Sequence, residues 1–112
     1  MTTAFAEEAL RIRETGHLSD RDIARATGAG VSTVGAWIRG TRSPRGERAE
    51  RLAELSAIVE RLARVMQPSY IPVWLQKPVP ALDDEKPIEL LARGDWRPVV
   101  RLVSELESPG FS

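Results

Sequence analysis

Residues 18 to 42, LSDRDIARATGAGVSTVGAWIRGTR, constrain the fold most, because two short helical patterns meet there at a tight turn and a tryptophan stands in the second. Ser19 can cap the first pattern through its hydroxyl, and Asp22, three residues on, suits the positive end of the helix dipole. Ile23, Ala24 and Thr27 recur at three- and four-residue spacing, which sets them on one face, and the small Ala24 lets a second helix approach closely. Gly28 can take the left-handed conformation that turns the chain. The second helix is expected from about Val31 to Arg39. Val34, Trp37 and Ile38 would then face inward, with Val31, Ser32, Gly35, Ala36 and Arg39 outward.

Two helices at this spacing form a helix-turn-helix, a unit that places its second helix in the major groove of DNA. On this reading the DNA contacts come from Val31, Ser32, Thr33, Gly35, Ala36, Arg39, Thr41 and Arg42. Val31, Gly35 and Ala36 offer a thymine methyl apolar contact, while Ser32, Thr33 and Arg39 carry most of the polar contacts. The competing reading is an ordinary helical hairpin whose Ala, Gly and Trp only pack a core. From Arg39 to Arg51 there are five arginines against two glutamates, a local excess suited to phosphates. For Arg48 and Arg51, pairing with the glutamates of their own helix is an equal alternative. Over the whole chain 16 basic residues balance 16 acidic ones, which argues against a nonspecific coater of DNA.

Ala24, Gly28, Val34 and the run Trp37, Ile38, Arg39, Gly40 resemble the helix-turn-helix of phage-repressor and Xre-type regulators.

The remaining patterns predict an all-α chain. An opening helix is expected over Thr3 to Thr15, with Phe5, Ala9, Leu10 and Ile12 inside and Gly16 as its stop. His17, a lone histidine in a connection, receives no role. Gly40 to Pro44 reads as a loop, with Pro44 in the first turn of a long helix. Between Ala49 and Met66 the apolar residues of that helix span an arc wider than the roughly 100° stripe of a helix buried on one side. Its flanks need cover from the front helices and from either the C-terminal part or a second copy of the chain, so a homodimer on paired half-sites and a monomer are both open. Four prolines then punctuate an apolar, aromatic segment too hydrophobic for a linker. A short helix is expected at Ser69 to Leu75, a loop from Pro78 to Glu85, and a brief helix from Pro87 to Ala92 stopped at Gly94. Asp95 would cap a final helix with Val99, Leu102, Val103 and Leu106 inside, and Trp74 and Trp96 are expected in the core. The division that follows is a DNA-binding unit with its connecting helix over 1–66 and a C-terminal unit over 67–112.

In that second unit, Trp74-Leu75, Pro78 to Leu82, Lys86 to Leu91 and Gly94-Asp95, followed by a valine- and leucine-rich helix, resemble the C-terminal domain of Xre/MbcA/ParS-type antitoxins. The chain departs from that pattern at Val79-Pro80, where Asn-Pro is usual, and at Asp83-Asp84-Glu85, where a Gly-rich loop is expected. The resemblance implies a type II antitoxin that binds a RES-domain, NAD-consuming toxin, occludes its active site with the extreme C-terminus, and represses its own operon. It assigns toxin contacts to Pro109, Gly110, Phe111 and Ser112, with Trp96, Arg97 and Arg101 as supports. Independently of that likeness, Phe111 on a Pro-Gly stem is an aromatic suited to filling a concave site, and a frayed terminus is the plain alternative.

Other classes are disfavoured. Without cysteine there is no disulfide, zinc-thiolate site or thiol nucleophile, and with one loop histidine and no phosphate-cradling glycine motif no catalysis and no cofactor are expected. No apolar run reaches the roughly 20 residues of a membrane span, and the N-terminus lacks a secretion signal, so a cytoplasmic location is expected. The alternative function is a stand-alone transcriptional regulator whose C-terminal half dimerises or senses a ligand.

Overall fold

Ser19 starts the helix-turn-helix as its hydroxyl predicts. In the computed structural model, which describes residues 4–108, the Asp22 amide donates to Ser19 Oγ at 3.1 Å and the Ser19 amide donates to Asp22 Oδ2 at 3.2 Å, closing a reciprocal cap. Such a cap contributes about 1 kcal/mol. It opens α2 (Asp20–Thr27), which buries Ile23, Ala24, Ala26 and Thr27. Gly28, at φ +78°, turns the chain through its left-handed conformation into α3 (Val31–Arg39), and Gly40, at φ +77°, ends that helix in the same way.

Around this pair the chain adds α1 (Ala4–Thr15), α4 (Gly46–Val65), α5 (Ile71–Leu75), α6 (Pro87–Ala92) and α7 (Arg97–Glu107), with 3-10 turns at Pro68–Tyr70 and Pro80–Leu82. No strand forms among the described residues; a single antiparallel bridge pairs Val79 with Glu85 across the proline-rich loop. The all-α architecture is thus the one expected. One hydrophobic core runs from Ala9 on α1 through Trp37 and the α4 residues Leu52, Leu55, Ile58 and Leu62 to Val99 and Val103 on α7. Helix α4 is its axis: α1 and α2 pack on it from the front, α5, α6 and α7 from behind. Its wide apolar arc is therefore largely covered within one chain, with Val65 at its carboxyl end left 38% exposed.

Several local expectations are corrected by packing. The opening helix is described from Ala4, and Leu10 is 40% exposed while Ala6 takes the inner position. Pro44 does not lie in the first turn of α4; it is buried in the preceding loop, and the helix begins at Gly46. Trp96 rather than Asp95 precedes α7, with no side-chain cap. Leu106, expected inside, is 39% exposed, whereas Val99 and Val103 on the same helix are fully buried. Trp74 and Trp96 are half-buried against the core edge.

The closest approach in the core is at Gly16, where the chain leaves α1 against α4. A Cβ added there would stand 2.7 Å from Val59 Cγ1 and 2.8 Å from the Ile12 carbonyl oxygen, both closer than carbon packing allows. Val59 is itself buried. Gly16→Ala should therefore destabilise the protein by about 1–3 kcal/mol, the usual cost of overpacking, with no effect on charge. Urea unfolding measures this, and a change below about 0.5 kcal/mol, the range of neutral surface changes, would show that the α1–α4 seam yields freely.

Candidate functional site

Helix α3 is held by Val34 and Trp37, buried to 0% and 2% exposure, and by the half-buried Ile38. With those residues fixed inward, 100° per residue places Ser32 and Arg39 on the opposite side, with Gly35 beside them and Val31 at the edge of that face next to Ile38. Val31, Ser32 and Arg39 are exposed there and Gly35 is half-buried. Ala36 is not part of this face: it is 7% exposed, because the Thr41 and Arg42 amides fold back to donate to its carbonyl at 3.0 and 3.4 Å. Thr33 lies to the other side, toward a hollow.

That hollow has a volume of about 490 Å³ and is lined by Thr33, Trp37, Gly40, Thr41, Arg42, Ser43, Pro44, Arg45 and Arg48. Arg42, Arg45 and Arg48 are exposed and have no acidic partner within salt-bridge distance among the described residues. It sits where α3 ends and α4 begins, so the amino end of α4 adds the positive pole of its helix dipole to three guanidinium groups. An arginine-lined hollow with hydroxyls, beside an exposed helix face, is suited to an anionic backbone. Arg45 was expected to meet phosphates as part of the basic run; Ser43 was not among the predicted contacts and joins the hollow through the loop that closes it.

Arg51, the fifth arginine of the basic run, is not on this surface. It reaches Glu47 at 3.5 Å, and its guanidinium lies between Gly28 and Gly94, 3.3 Å from the Cβ position of each. The turns ending α2 and α6 thus share one cation at their negative helix ends. Two further side-chain contacts tie α2 to the C-terminal helices: Arg25 pairs with Glu89, and Gln76 Nε2 donates to Asp22 Oδ1 at 3.4 Å.

The predicted partner-protein residues lie elsewhere. Trp96 lines a mainly apolar groove of about 220 Å³ between α4 and α7, with Glu54, Ala57, Ile58, Arg61 and Val100. Arg97 stacks over the Trp96 ring at 4.7 Å, and Arg101 is exposed one turn further along. Arg61 closes the far end of α7: its Nε donates to Glu107 Oε2 at 2.9 Å and its Nη2 to Ser104 Oγ at 3.0 Å. Those hydrogen bonds hold the Glu107 carboxyl below the usual carboxylate range, whereas burial beside the groove pushes Glu54 up. Pro109, Gly110, Phe111 and Ser112 lie outside the described residues. Helix α7 packs on α4 and α6, while α3 packs on α1 and α2, so the two candidate surfaces belong to different parts of the molecule. No helix among the described residues is long and apolar enough to cross a membrane.

Comparison with known proteins agrees with this geometry. The model of the helix-turn-helix family matches residues 10–55. The chain is 26% identical over 94 residues to the mycobacterial cidal antitoxin MbcA of Mycobacterium tuberculosis, covering 84% of this chain and 83% of the relative, and equally to that of Mycobacterium bovis. Its fold matches a chain in the crystal structure of the M. tuberculosis MbcT-MbcA toxin-antitoxin complex with a TM-score of 0.85 and 24% identity, covering 98% of this chain and 99% of the other. The likeness therefore continues beyond the helix-turn-helix into the helices behind α4. The matched front unit, the sequence likeness across most of the chain and the shared fold together make this chain similar to the Xre/MbcA-like helix-turn-helix antitoxins.

Proposed function

We propose that this protein is the antitoxin of a type II toxin-antitoxin pair: it binds and neutralises a RES-domain, NAD-consuming toxin by occluding its active site. Through α3, as a homodimer on paired half-sites, it also represses its own operon. The observation that carries the reading is the correspondence to MbcA along nearly the whole chain, including α5 to α7, which DNA binding alone does not need. The separation of surfaces supports a division of labour, since a protein held on the Trp96–Arg101 side of α7 leaves α3 and the arginine hollow open.

Co-expression with the product of the neighbouring gene is the test. Rescue of growth and co-purification as one complex are expected; a stable complex without rescue, or neither, would refute neutralisation. Occlusion by the C-terminus makes a finer prediction. Removing Pro109 to Ser112 should weaken inhibition by about thirtyfold, the effect of losing one hot-spot residue, while the complex still co-purifies. Equal losses of inhibition and of binding would argue against a plug.

A further inference from the structure

On α3 the residues Val31, Gly35 and Arg39 follow one another at four-residue intervals down the exposed side. Gly35 has no packing reason to be a glycine: it lies mid-helix, its φ is not left-handed, and what its missing side chain would meet is not the core. An ideal Cβ at Gly35 would lie 3.1 Å from Arg39 Nη1. The guanidinium of Arg39 thus lies back along the helix across Gly35 instead of extending off its carboxyl end. Arg39 has no acidic partner within salt-bridge distance among the described residues to draw it there.

A glycine within a helix is destabilising relative to alanine, so its presence on an exposed face calls for a function. Here the gap holds a planar five-donor fork against the helix surface, where it faces whatever α3 faces. That fork matches guanine O6 and N7 bidentately, and prior positioning reduces the ordering lost on binding. Val31, 48% exposed at the amino end, presents two methyl groups at the edge of the same face, about 40° round the helix from Gly35, and a thymine methyl is the apolar feature of the major groove. With Arg39 drawn back over Gly35, its guanidinium stands about four residues from Val31, roughly 6 Å along the helix axis. That distance corresponds to about two base-pair steps.

We propose that Arg39, positioned by Gly35, reads a guanine, and that Val31 reads a thymine about two base pairs away, in each half-site that this protein binds. The proposal rests on the reading of α3 as a DNA-binding helix and adds which bases it selects. Gly35 is then a positioning residue and Arg39 and Val31 are the contacts.

In-vitro selection by the full chain from a random duplex library, followed by anisotropy titration of the winning duplex, tests this. The selected half-site should contain the thymine and guanine at that spacing. Replacing the guanine by 7-deazaguanine should weaken binding about tenfold or more, and replacing the thymine by uracil a few-fold. Arg39→Ala should abolish the sensitivity to 7-deazaguanine, and Gly35→Ala, a change that favours the helix and leaves folding intact, should reduce it by crowding the guanidinium. The double variant should lose no more discrimination than Arg39→Ala alone, while retaining binding to unselected duplex. A selected guanine whose 7-deaza penalty survives Arg39→Ala, or a consensus without guanine, would overturn the proposal while leaving DNA binding in place. A library that yields no enriched sequence would overturn both.

Discussion

Trp37→Ala should lower the unfolding free energy by about 3–5 kcal/mol, the range for deleting a buried tryptophan, in a protein whose whole stability is expected at about 5–15 kcal/mol. Trp37 is 2% exposed and belongs to the same core as Ala9, Ile12, Leu18 and Ile23, so it joins α3 to α1 and α2. The thermal midpoint should fall by on the order of 10 °C or more, and circular dichroism during heating measures it. Trp96→Ala is the control. Half-buried at the edge of a groove, it should cost clearly less. If the two substitutions cost the same, Trp37 is not the residue that locks the helix-turn-helix in place.

Replacing Arg42, Arg45 and Arg48 together by alanine should reduce the salt dependence of DNA binding rather than the stability of the fold. Each arginine that neutralises a phosphate contributes about 0.9 to the slope of log affinity against log salt, so the slope should flatten by nearly three. At about 0.15 M salt the affinity should fall on the order of a hundredfold. Because these side chains are exposed and lack acidic partners, unfolding should change by no more than about 0.5 kcal/mol. Arg51→Ala should do the reverse, since its guanidinium lies between the glycine turns that end α2 and α6. Anisotropy titrations between about 50 and 200 mM salt read the slope. An unchanged slope for the triple variant would remove the arginine hollow from the nucleic-acid interface.

The features legible in the sequence share one property: their cause lies within a few residues. The Ser19 to Asp22 cap, the Gly28 turn, the span of α3 and the brief helix opened by Pro87 each follow from local hydrogen bonding or a restricted φ, and all formed as expected. Periodicity also located the inner residues Ile23, Val34, Trp37, Leu52 and Val99. It misassigned Leu10, Ala36 and Leu106 because periodicity reports which side of a helix is apolar and not how far the covering partner extends. Leu106 lies in the last turn of α7 and stays 39% exposed; Ala36 is covered by a loop that returns after Gly40.

Charge was the least legible feature. Five arginines within thirteen residues read as one basic patch, and only the fold separates them: Arg42, Arg45 and Arg48 around a hollow, Arg39 across Gly35, Arg51 between two helix ends. The sequence by itself determined the helices, the Ser19 cap and the all-α class, because those depend on contacts three or four residues apart. Tertiary structure alone decided which arginines remain unpaired, how much of the wide apolar arc of α4 is covered within one chain, and that the α3 and α7 surfaces lie apart. These are distances between residues far apart in the chain, which no local rule specifies.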